Sequence, residues 1–448
     1  MDTLSLHPFQ TRLSEKLSES LTTPLPTGTP RRVYGAVHLG GKTTAIVGMR
    51  RAGKTVFLHQ IRRERLADGM DRARMPYINF EDERLAGLTV EHLHPLVEEY
   101  YRRFPALRGS ETVMWCFDEI QTVPGWERFV RRLLDSEKVD MFLTGSSAAL
   151  LSREIATALR GRAWEVIMHP FSFGEALRHA GKTLPAQPDF LDGPARSALE
   201  RSFLDYLVAG GFPEAQGMDT ATRYQLLRDY VDVAILRDVV ERHSVSNVTG
   251  LRWLVRHLLG NAAGLFSVEK FYGALKSQGL AISKDTVHQL MGYLQDCFLV
   301  RTVWMEAASE RQRMVNPRKA YPVDPGLISV FDRTGRSNLG HALETAVFLD
   351  LERRRAEVSY VKTPQGFEVD FLARYPSGEE ELIQVCADLA APDTAERELR
   401  SLVEAGRQFP QAHKRLLTLT QDGLPREAPA DILAQPAYVW LLTPTELP

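Results

Sequence analysis

The chain contains Gly-Lys-Thr twice in one short stretch, "HLGGKTTAIVGMRRAGKT", His38 to Thr55. This triplet binds a nucleotide phosphate when it completes the pattern G-x-x-x-x-G-K-[ST] between a strand and a helix. The first copy has Ala36 in place of the leading glycine. The β-branched run "TTAIV" that follows it predicts a strand where the pattern requires a helix. The first copy is therefore interpreted as a hairpin turn.

The second copy meets every condition of the pattern. Gly48 and Gly53 bracket "MRRA", Lys54 and Thr55 follow, and "VFLHQIRRERLAD" has apolar residues at helical spacing. In such a loop the backbone N–H groups converge on the phosphates, and the start of the helix adds positive potential. The predicted nucleotide-contacting residues are Gly48, Arg50, Arg51, Ala52, Gly53, Lys54, Thr55 and Val56.

A phosphate loop also needs a metal ligand and a group that activates water. Lys54 is expected to reach the β- and γ-phosphates, and Thr55 to bind Mg²⁺ through its hydroxyl. The apolar run "VMWCF" ends in Asp118-Glu119, as a Walker B strand does. Asp118 is expected to hold Mg²⁺ and Glu119 to polarise the attacking water. A solvated carboxylate pair at a strand end is the alternative interpretation.

Further polar residues follow the next strand, "FLTGSS". Thr144 or Ser146 is a candidate sensor of the γ-phosphate, or else an N-cap of the next helix. "ALRGRAWEV" contains Arg160 and Arg162, which could stabilise transition-state charge in the same chain or across a subunit boundary. Ordinary surface arginines are an equally good explanation of that pair.

These residues lie among regularly alternating strands and helices. From about residue 31 to 178, short apolar runs such as "TAIVG", "TVMWCF" and "DMFLTG" separate helical segments, which predicts an α/β fold with a parallel sheet. The remainder predicts a helical lid, then helices followed by an extended Arg-rich segment, as in a winged helix, and finally a small α/β domain. The predicted boundaries are 1–30 for a lead-in, 31–183, 184–246, 247–332 and 335–448.

Composition restricts the class of protein. A chain of 448 residues is long enough for several domains, and a net charge of -2 gives no global sign of nucleic-acid binding. The three cysteines lack the spacing of a zinc site or a disulfide framework. Neither a signal pattern nor a membrane-spanning run is evident, so a cytoplasmic location is expected.

The predicted winged helix offers one possible contact surface for DNA. Its third helix, "SKDTVHQLMGYLQDC", begins at a Ser283 cap and has an almost neutral outer face, which is unusual for a helix that reads bases. The basic stretch "ERQRMVNPRK" is either a DNA-contacting wing or solvated charge around a hairpin. Its basic residues are Arg311, Arg313, Arg318 and Lys319.

The motifs together resemble a known family. "GMRRAGKT", "YINFEDERL", "FDEIQTVPGWE", "LTGSSAALLS", "LRGR", "HPFSFGEAL" and "GGFPEA" occur in the order seen in a prokaryotic AAA+-like ATPase family related to STAND signalling ATPases. The resemblance implies ATP and Mg²⁺ as ligands, a winged helix, and a C-terminal domain related to PD-(D/E)XK nucleases. It also implies that Gly210, Gly211 and Pro213 sense the nucleotide from the lid. A tight turn is the alternative for that glycine pair.

The C-terminal domain lacks part of the nuclease chemistry. PD-(D/E)XK sites use an aspartate on one strand, E-x-K on the next strand and often a helical glutamate, which together hold Mg²⁺ and activate water. Here Glu344 and Asp370 match the helical glutamate and the aspartate, but Gln384 and Cys386 occupy the E-x-K positions. Lys362, one strand earlier, is a possible substitute lysine. The sequence predicts an inactive nuclease-like domain.

These features predict a molecular switch that binds and hydrolyses ATP and whose nucleotide state alters its contacts with a protein partner or with DNA. Oligomerisation is possible. A nucleic-acid-processing ATPase with an active nuclease domain is one alternative. A non-hydrolysing, ATP-dependent adaptor is the other.

Overall fold

The computed structural model describes residues 6–146, 161–332, 338–389 and 392–443. The chain forms two compact units, Met1–Met168 and His169–Pro448. Each unit is built on one β-sheet. Within the described residues, no helix is both long enough and apolar enough to span a membrane.

The first unit contains a five-stranded parallel sheet in the order β2-β3-β4-β1-β5. Its strands are β1 (Thr43–Val47), β2 (Tyr77–Asn79), β3 (Val113–Asp118), β4 (Val139–Gly145) and β5 (Ala163–Ile167). Its α-helices are α1 (Leu6–Thr22), α2 (Lys54–Ala67), α3 (Leu93–Arg103) and α4 (Trp126–Ser136). Every residue of β1 and β3 is buried, as expected of strands covered by helices on both faces. The predicted α/β fold with a parallel sheet is confirmed.

The segment expected to be an N-terminal lead-in contains a full helix. α1 buries Leu13 and Leu17 completely, and Ser14 on the same helix accepts a hydrogen bond from Arg103 on α3. These contacts make α1 part of the first unit.

The second unit has α-helices before, between and after its strands. These are α5 (Phe173–His179), α6 (Gly193–Ala209), α7 (Thr220–Val233, continued by a π-helix Ala234–Glu241), α8 (Val248–Gly260), α9 (Val268–Ser277), α10 (Lys284–Asp296), α11 (Glu310–Val315), α12 (Gly326–Phe331), α13 (Leu339–Arg353), α14 (Pro392–Gln408) and α15 (Ala437–Leu442). The Ser283 side chain caps α10 by accepting the Thr286 N–H at 3.0 Å, as expected from the sequence.

An eight-stranded mixed sheet runs through the second unit in the order β13-β12-β11-β10-β9-β7-β8-β6. The strands are β6 (Leu265–Phe266), β7 (Val300–Met305), β8 (Arg318–Pro322), β9 (Glu357–Lys362), β10 (Glu368–Arg374), β11 (Glu380–Cys386), β12 (His413–Thr418) and β13 (Ile432–Pro436). Strand β7 pairs in parallel with β9. The segment expected to be a winged helix therefore shares one sheet with the segment expected to be a separate C-terminal domain.

Candidate nucleotide-binding site

The phosphate loop lies at the carboxyl end of β1, between Val47 and the start of α2. Gly48 has a φ of 148° and Gly53 a φ of 98°, a region that side chains disfavour. A Cβ at Gly48 would overlap the backbone of Met168. Both glycines of the pattern are thus required by the backbone geometry of the loop.

Lys54, the first residue of α2, points back into the loop. Its side chain is 4% exposed, and Nζ lies 3.1 Å from the Gly48 carbonyl and 3.2 Å from the Met49 carbonyl. The Glu119 carboxylate is 3.7 Å away. The ammonium is held mainly by neutral carbonyl groups, so its positive charge is available to an anionic ligand.

Asp118 ends β3 and is bound by three hydroxyl groups. Its Oδ2 accepts from the Thr55 hydroxyl at 2.9 Å and from the Tyr77 hydroxyl at 2.8 Å, and Oδ1 accepts from the Thr144 hydroxyl. The carboxylate is 1% exposed. Three neutral donors orient it without cancelling its negative charge.

Glu119, the next residue, has a left-handed backbone with a φ of 52°. Its N–H donates to the Thr144 hydroxyl at 3.0 Å, and its carboxylate accepts from the Gln121 amide. Thr144 therefore links the backbone of Glu119 to the side chain of Asp118. Ser146 lies just beyond β4 and is buried, at 1% exposure.

The strand order brings these residues together. β1, β3 and β4 are adjacent in the sheet, with β4 in the middle. Because parallel strands end at the same edge, the loop after β1, the carboxylates after β3 and the threonine on β4 converge there.

Tyr77 belongs to this site but was not identified from the sequence. Burial, and to a smaller extent the neighbouring Asp118 carboxylate, raises the pKa of the Tyr77 hydroxyl far above its usual value. Tyr77 therefore remains a hydrogen-bond donor. The His59 ring packs on the Tyr77 ring with centroids 4.5 Å apart. The signal in the sequence is the tyrosine itself, a residue with a polar tip in the short, mostly apolar run "MPYINF".

One other candidate, Arg162, does not join this site. Arg162 precedes β5, at the amino edge of the sheet, where its backbone carbonyl accepts from Thr43 N–H, and its side chain pairs with Asp135. The proposed role of Arg162 within the same chain is therefore wrong for this arrangement. Arg160 lies outside the described residues. In the loop itself, Arg50 donates to Glu81 at 2.6 Å, whereas Arg51 and Val56 are exposed and Ala52 is buried.

The "GGFP" motif has a packing explanation within the second unit. The Gly211 N–H donates to Oδ2 of Asp324 at 2.6 Å, and a Cβ at Gly210 would overlap that carboxylate. A Cβ at Gly211 would overlap the backbone of Phe171. Both glycines are thus required by close packing. Pro213 begins the short 3₁₀ turn Pro213–Ala215, and its nucleotide-sensing role stays a prediction.

The donor set at the sheet edge suits Mg²⁺ with a phosphate chain. Magnesium prefers hard oxygen ligands and usually takes one or two from the protein, with phosphate oxygens and water completing its shell. The Thr55 hydroxyl and the Asp118 carboxylate already touch, so one ion can contact both. Lys54 and the N–H groups of the loop would face the phosphates.

A second cluster of charges joins β8, β10 and α13. The Lys319 ammonium lies 2.7 Å from Asp370, 3.1 Å from Glu344 and 3.1 Å from Glu368. Tyr321 also donates to Glu344, at 2.8 Å. Burial lowers the pKa of Lys319, but the surrounding anionic groups outweigh it and raise that pKa well above the usual value. Burial raises the pKa of Glu344 to about 7.

Lys319 is therefore not part of a DNA-contacting wing, because it is 3% exposed and fully paired. The sequence suggested that Lys362 might substitute for the missing lysine. In the structure, the ammonium beside Asp370 belongs to Lys319, on a strand assigned to a different domain. This contact between β8 and β10 is one that the sequence did not reveal.

Gln384 and Cys386 do not join the Lys319 cluster. Gln384 donates to Glu398 on α14 at 2.6 Å, and Cys386 packs against the apolar core on that side of the sheet. Val385, between them, and Ile383, just before them, pack on the opposite side, in the core that includes α13. Gln384 and Cys386 thus lie on the opposite face of the sheet from Glu344, although the Gln384 side chain accepts from the backbone N–H of Asp370 at 3.2 Å, and their match to the E-x-K positions stays a prediction.

A register shift in β10 explains this arrangement. The pairing of β10 with β9 slips between Val369 and Leu372. Such a bulge turns two successive side chains toward one face. Asp370 consequently faces Lys319 and Glu344, and the neighbouring Phe371 packs in the core on that same side.

The expected wing is also reorganised. "ERQRMV" forms α11 instead of an extended segment. Arg318 stacks on Trp304 with its guanidinium 3.6 Å from the ring centroid, and Arg313 lies 3.7 Å from Glu310. Of the four basic residues, Arg311 alone is both exposed and without such a contact among the described residues.

Fold and site together define a P-loop nucleotide-binding protein, and comparison with known proteins agrees. A family model described as AAA domain matches residues 40–177, and a model for a domain of unknown function, DUF8612, matches residues 200–338. An uncharacterized protein of Methanocaldococcus jannaschii is 33% identical over 414 residues, which cover 90% of this chain and 88% of that protein. The chain belongs to the same family as this archaeal protein, and the part of the chain that contains the phosphate loop matches the AAA domain.

Two further similarities are more distant. An uncharacterized protein of Haemophilus influenzae is 30% identical over 330 residues, covering 73% of this chain and 78% of that protein. A Walker-type ATPase of Pyrococcus abyssi overlays with a TM-score of 0.40 at 17% identity, covering 72% of this chain and 95% of that chain. An overlay this loose carries no information about what this chain binds.

Proposed function

We propose that the protein is an ATP-hydrolysing molecular switch whose nucleotide state changes what it holds. One observation carries the proposal: the buried Asp118 carboxylate is bound by the hydroxyls of Thr55, Tyr77 and Thr144, and the carboxylate of the next residue, Glu119, lies 3.7 Å from the Lys54 ammonium. This arrangement keeps a hard anionic oxygen and a cation side by side, as a phosphate chain with Mg²⁺ requires.

Each side chain has a distinct part in the proposed reaction. Lys54 binds phosphate oxygens and offsets charge that develops on them. Thr55 and Asp118 hold Mg²⁺, which neutralises phosphate charge when bound. Glu119 accepts a proton from the attacking water, and Gln121 orients its carboxylate by a hydrogen bond.

Thr144 is proposed to couple the two carboxylates. Its hydroxyl donates to Asp118 and accepts from the N–H of Glu119, so a shift of either residue moves the other. This contact supports a sensor role over the alternative of a helix cap.

We also propose that the Lys319 cluster serves structure and not catalysis. The ammonium lies within 3.1 Å of all three carboxylates, where a divalent cation would otherwise gain its ligands. Within the described residues, no group of three or more His, Cys, Asp or Glu side chains is arranged to hold a metal ion. The C-terminal sheet would then serve as a contact domain.

The decisive experiment measures ATP binding and turnover by the full chain with Mg²⁺, with and without DNA. Binding together with turnover supports the switch. Binding without turnover would replace it with the ATP-dependent adaptor. Absence of binding would overturn the assignment of the loop.

A further inference from the structure

A groove opens on the second unit where α7, α8, α9 and α12 meet. It has a volume of about 1060 Å³, slightly above the roughly 300–1,000 Å³ of most small-molecule sites. Residues from all four helices line it. Its size and openness suit a segment of an extended chain better than a single small ligand.

Four cations line this groove: Arg228 on α7, Arg252 and Arg256 on α8, and Lys270 on α9. All four are exposed. Arg252 and Arg256 are one turn apart and share a face of their helix. Cations thus occur on three of the four helices that line the groove.

The described part of the chain does not pair these four cations with carboxylates. Among the described residues, none of the four has an ion pair with a carboxylate, although Asp232 and Asp332 also line the groove. By contrast, exposed Arg201 and Arg407 pair with Asp205 and Glu404. Partial burial of its ring lowers the pKa of His257, which also lines the groove.

The rest of the lining favours a nucleic acid over an apolar peptide. The floor residues Val231, Ile235 and Phe271 are at most 7% exposed, so they offer little surface to hydrophobic anchors of a partner helix. Trp253, which is half-buried, and the exposed Leu265 present the accessible apolar surface. Basic side chains with an accessible aromatic ring are the combination that binds single strands without regard to sequence.

We propose that this groove binds single-stranded nucleic acid through its phosphates, with a base stacked on Trp253. A duplex is too wide to enter a groove of about 1060 Å³, whereas a single strand can lie within it and reach its cations. The proposal does not depend on ATP hydrolysis.

The test uses the full chain and a fluorescein-labelled dT20 strand, with binding followed by fluorescence anisotropy over a range of salt. Arg252→Glu combined with Arg256→Glu should weaken binding at least tenfold and flatten the salt dependence, since contacts with phosphates are lost. Arg201→Glu with Arg407→Glu makes the same change in charge outside the groove, and it should leave affinity within about twofold of the parent. Equal losses in both pairs would overturn the site.

Trp253→Ala separates stacking from charge. We expect a loss of roughly tenfold with an unchanged salt slope, because a stacked base contributes about 1–3 kcal/mol. Arg311→Glu, on α11, should have little effect. Tighter binding of a duplex, or displacement of dT20 by polyglutamate at equal charge concentration, would overturn the assignment to a single strand. Lys54→Ala should bind dT20 as the parent does, so failure of the ATPase proposal would not affect this result.

Discussion

Two lysine side chains in this protein are equally buried and lie near carboxylates, yet the groups that surround them differ. Lys54 and Lys319 are each 4% exposed. The Lys54 ammonium contacts two backbone carbonyls and has one carboxylate at 3.7 Å. The Lys319 ammonium has three carboxylates within 3.1 Å. The first cation is free to bind a ligand, whereas the second is neutralised by its own chain.

Asp118 and Asp370, the aspartates of the two clusters, also differ in the groups that bind them. Asp118 is held by hydroxyl groups, which orient a carboxylate and leave its charge in place. Asp370 is held by the Lys319 ammonium and by the Val385 N–H at 2.9 Å. A buried lysine beside a carboxylate therefore does not by itself define a ligand site. Whether the charge is cancelled within the fold decides between a ligand site and a structural cluster.

The largest effect is expected at the nucleotide-binding site around the phosphate loop. Glu119→Gln should lower ATP turnover by roughly 10²–10⁴-fold with ATP binding nearly unchanged, because the proton acceptor is lost and the phosphate contacts remain. Lys54→Ala should instead weaken ATP binding, since the phosphates lose their main cation. Turnover by Glu119→Gln at the parent rate would show that another group activates water.

A substitution in the Lys319 cluster should change the stability of the protein instead of its ATP turnover. Lys319→Met leaves three carboxylates without their cation, and breaking a buried ion pair from one side costs about 3–5 kcal/mol of unfolding free energy. We expect Mn²⁺ or Mg²⁺ to raise the melting temperature of this variant and not that of the parent. Lys362→Met, at a lysine outside the cluster, is the matched control. Equal melting temperatures for Lys319→Met and the parent would contradict the structural role of Lys319.

Asp324 is a third buried aspartate, and it is bound by backbone N–H groups instead of hydroxyls or a lysine. It accepts from Gly211 and Gly326, and burial raises its pKa to about 7 in spite of these bonds. The folded state then binds a proton between pH 4 and 7 that the unfolded chain does not, so this residue's contribution to stability falls as pH rises through that range.

Asp324→Asn should remove that pH dependence. Between pH 5 and 7.5, the unfolding free energy of the parent should fall relative to the variant by on the order of 2 kcal/mol, since one pKa unit corresponds to about 1.4 kcal/mol. Urea unfolding at several pH values measures this difference, and exposed Asp205→Asn serves as the control. Parallel pH profiles for parent and Asp324→Asn would show that Asp324 is ionised in the folded protein.

The smallest expected effect is in nucleic-acid cleavage, where the parent should show none. Purified protein with Mg²⁺ or Mn²⁺ is incubated with single-stranded, double-stranded and structured DNA and RNA, beside Asp370→Ala. Lys319 occupies the space among the carboxylates, and Gln384 is on the other face of the sheet, so the metal lacks ligands. Cleavage by the parent that disappears in Asp370→Ala would contradict the structural role of the Lys319 cluster. Lys319 would then be a catalytic lysine.

Much of the first unit was predictable from the sequence. Gly48, Gly53, Lys54 and Thr55 are neighbours in the chain, so their spacing alone determines the loop that they form. Asp118 and Glu119 end an apolar run, and a run of that length predicts a buried strand wherever it lies. These features depend on local geometry, and local geometry is encoded in consecutive residues.

Other contacts were decided only by the tertiary structure. Tyr77 reaches Asp118 because β2 is beside β3 in the sheet, and strand order is not encoded in periodicity. Lys319 meets Asp370 across a sheet that joins two segments assigned to separate domains. A bulge in β10, invisible in the alternation of residue types, turned Asp370 away from the face of Gln384. Each of these contacts links residues far apart in the chain, where pairing, register and burial of the whole sheet determine which side chains meet.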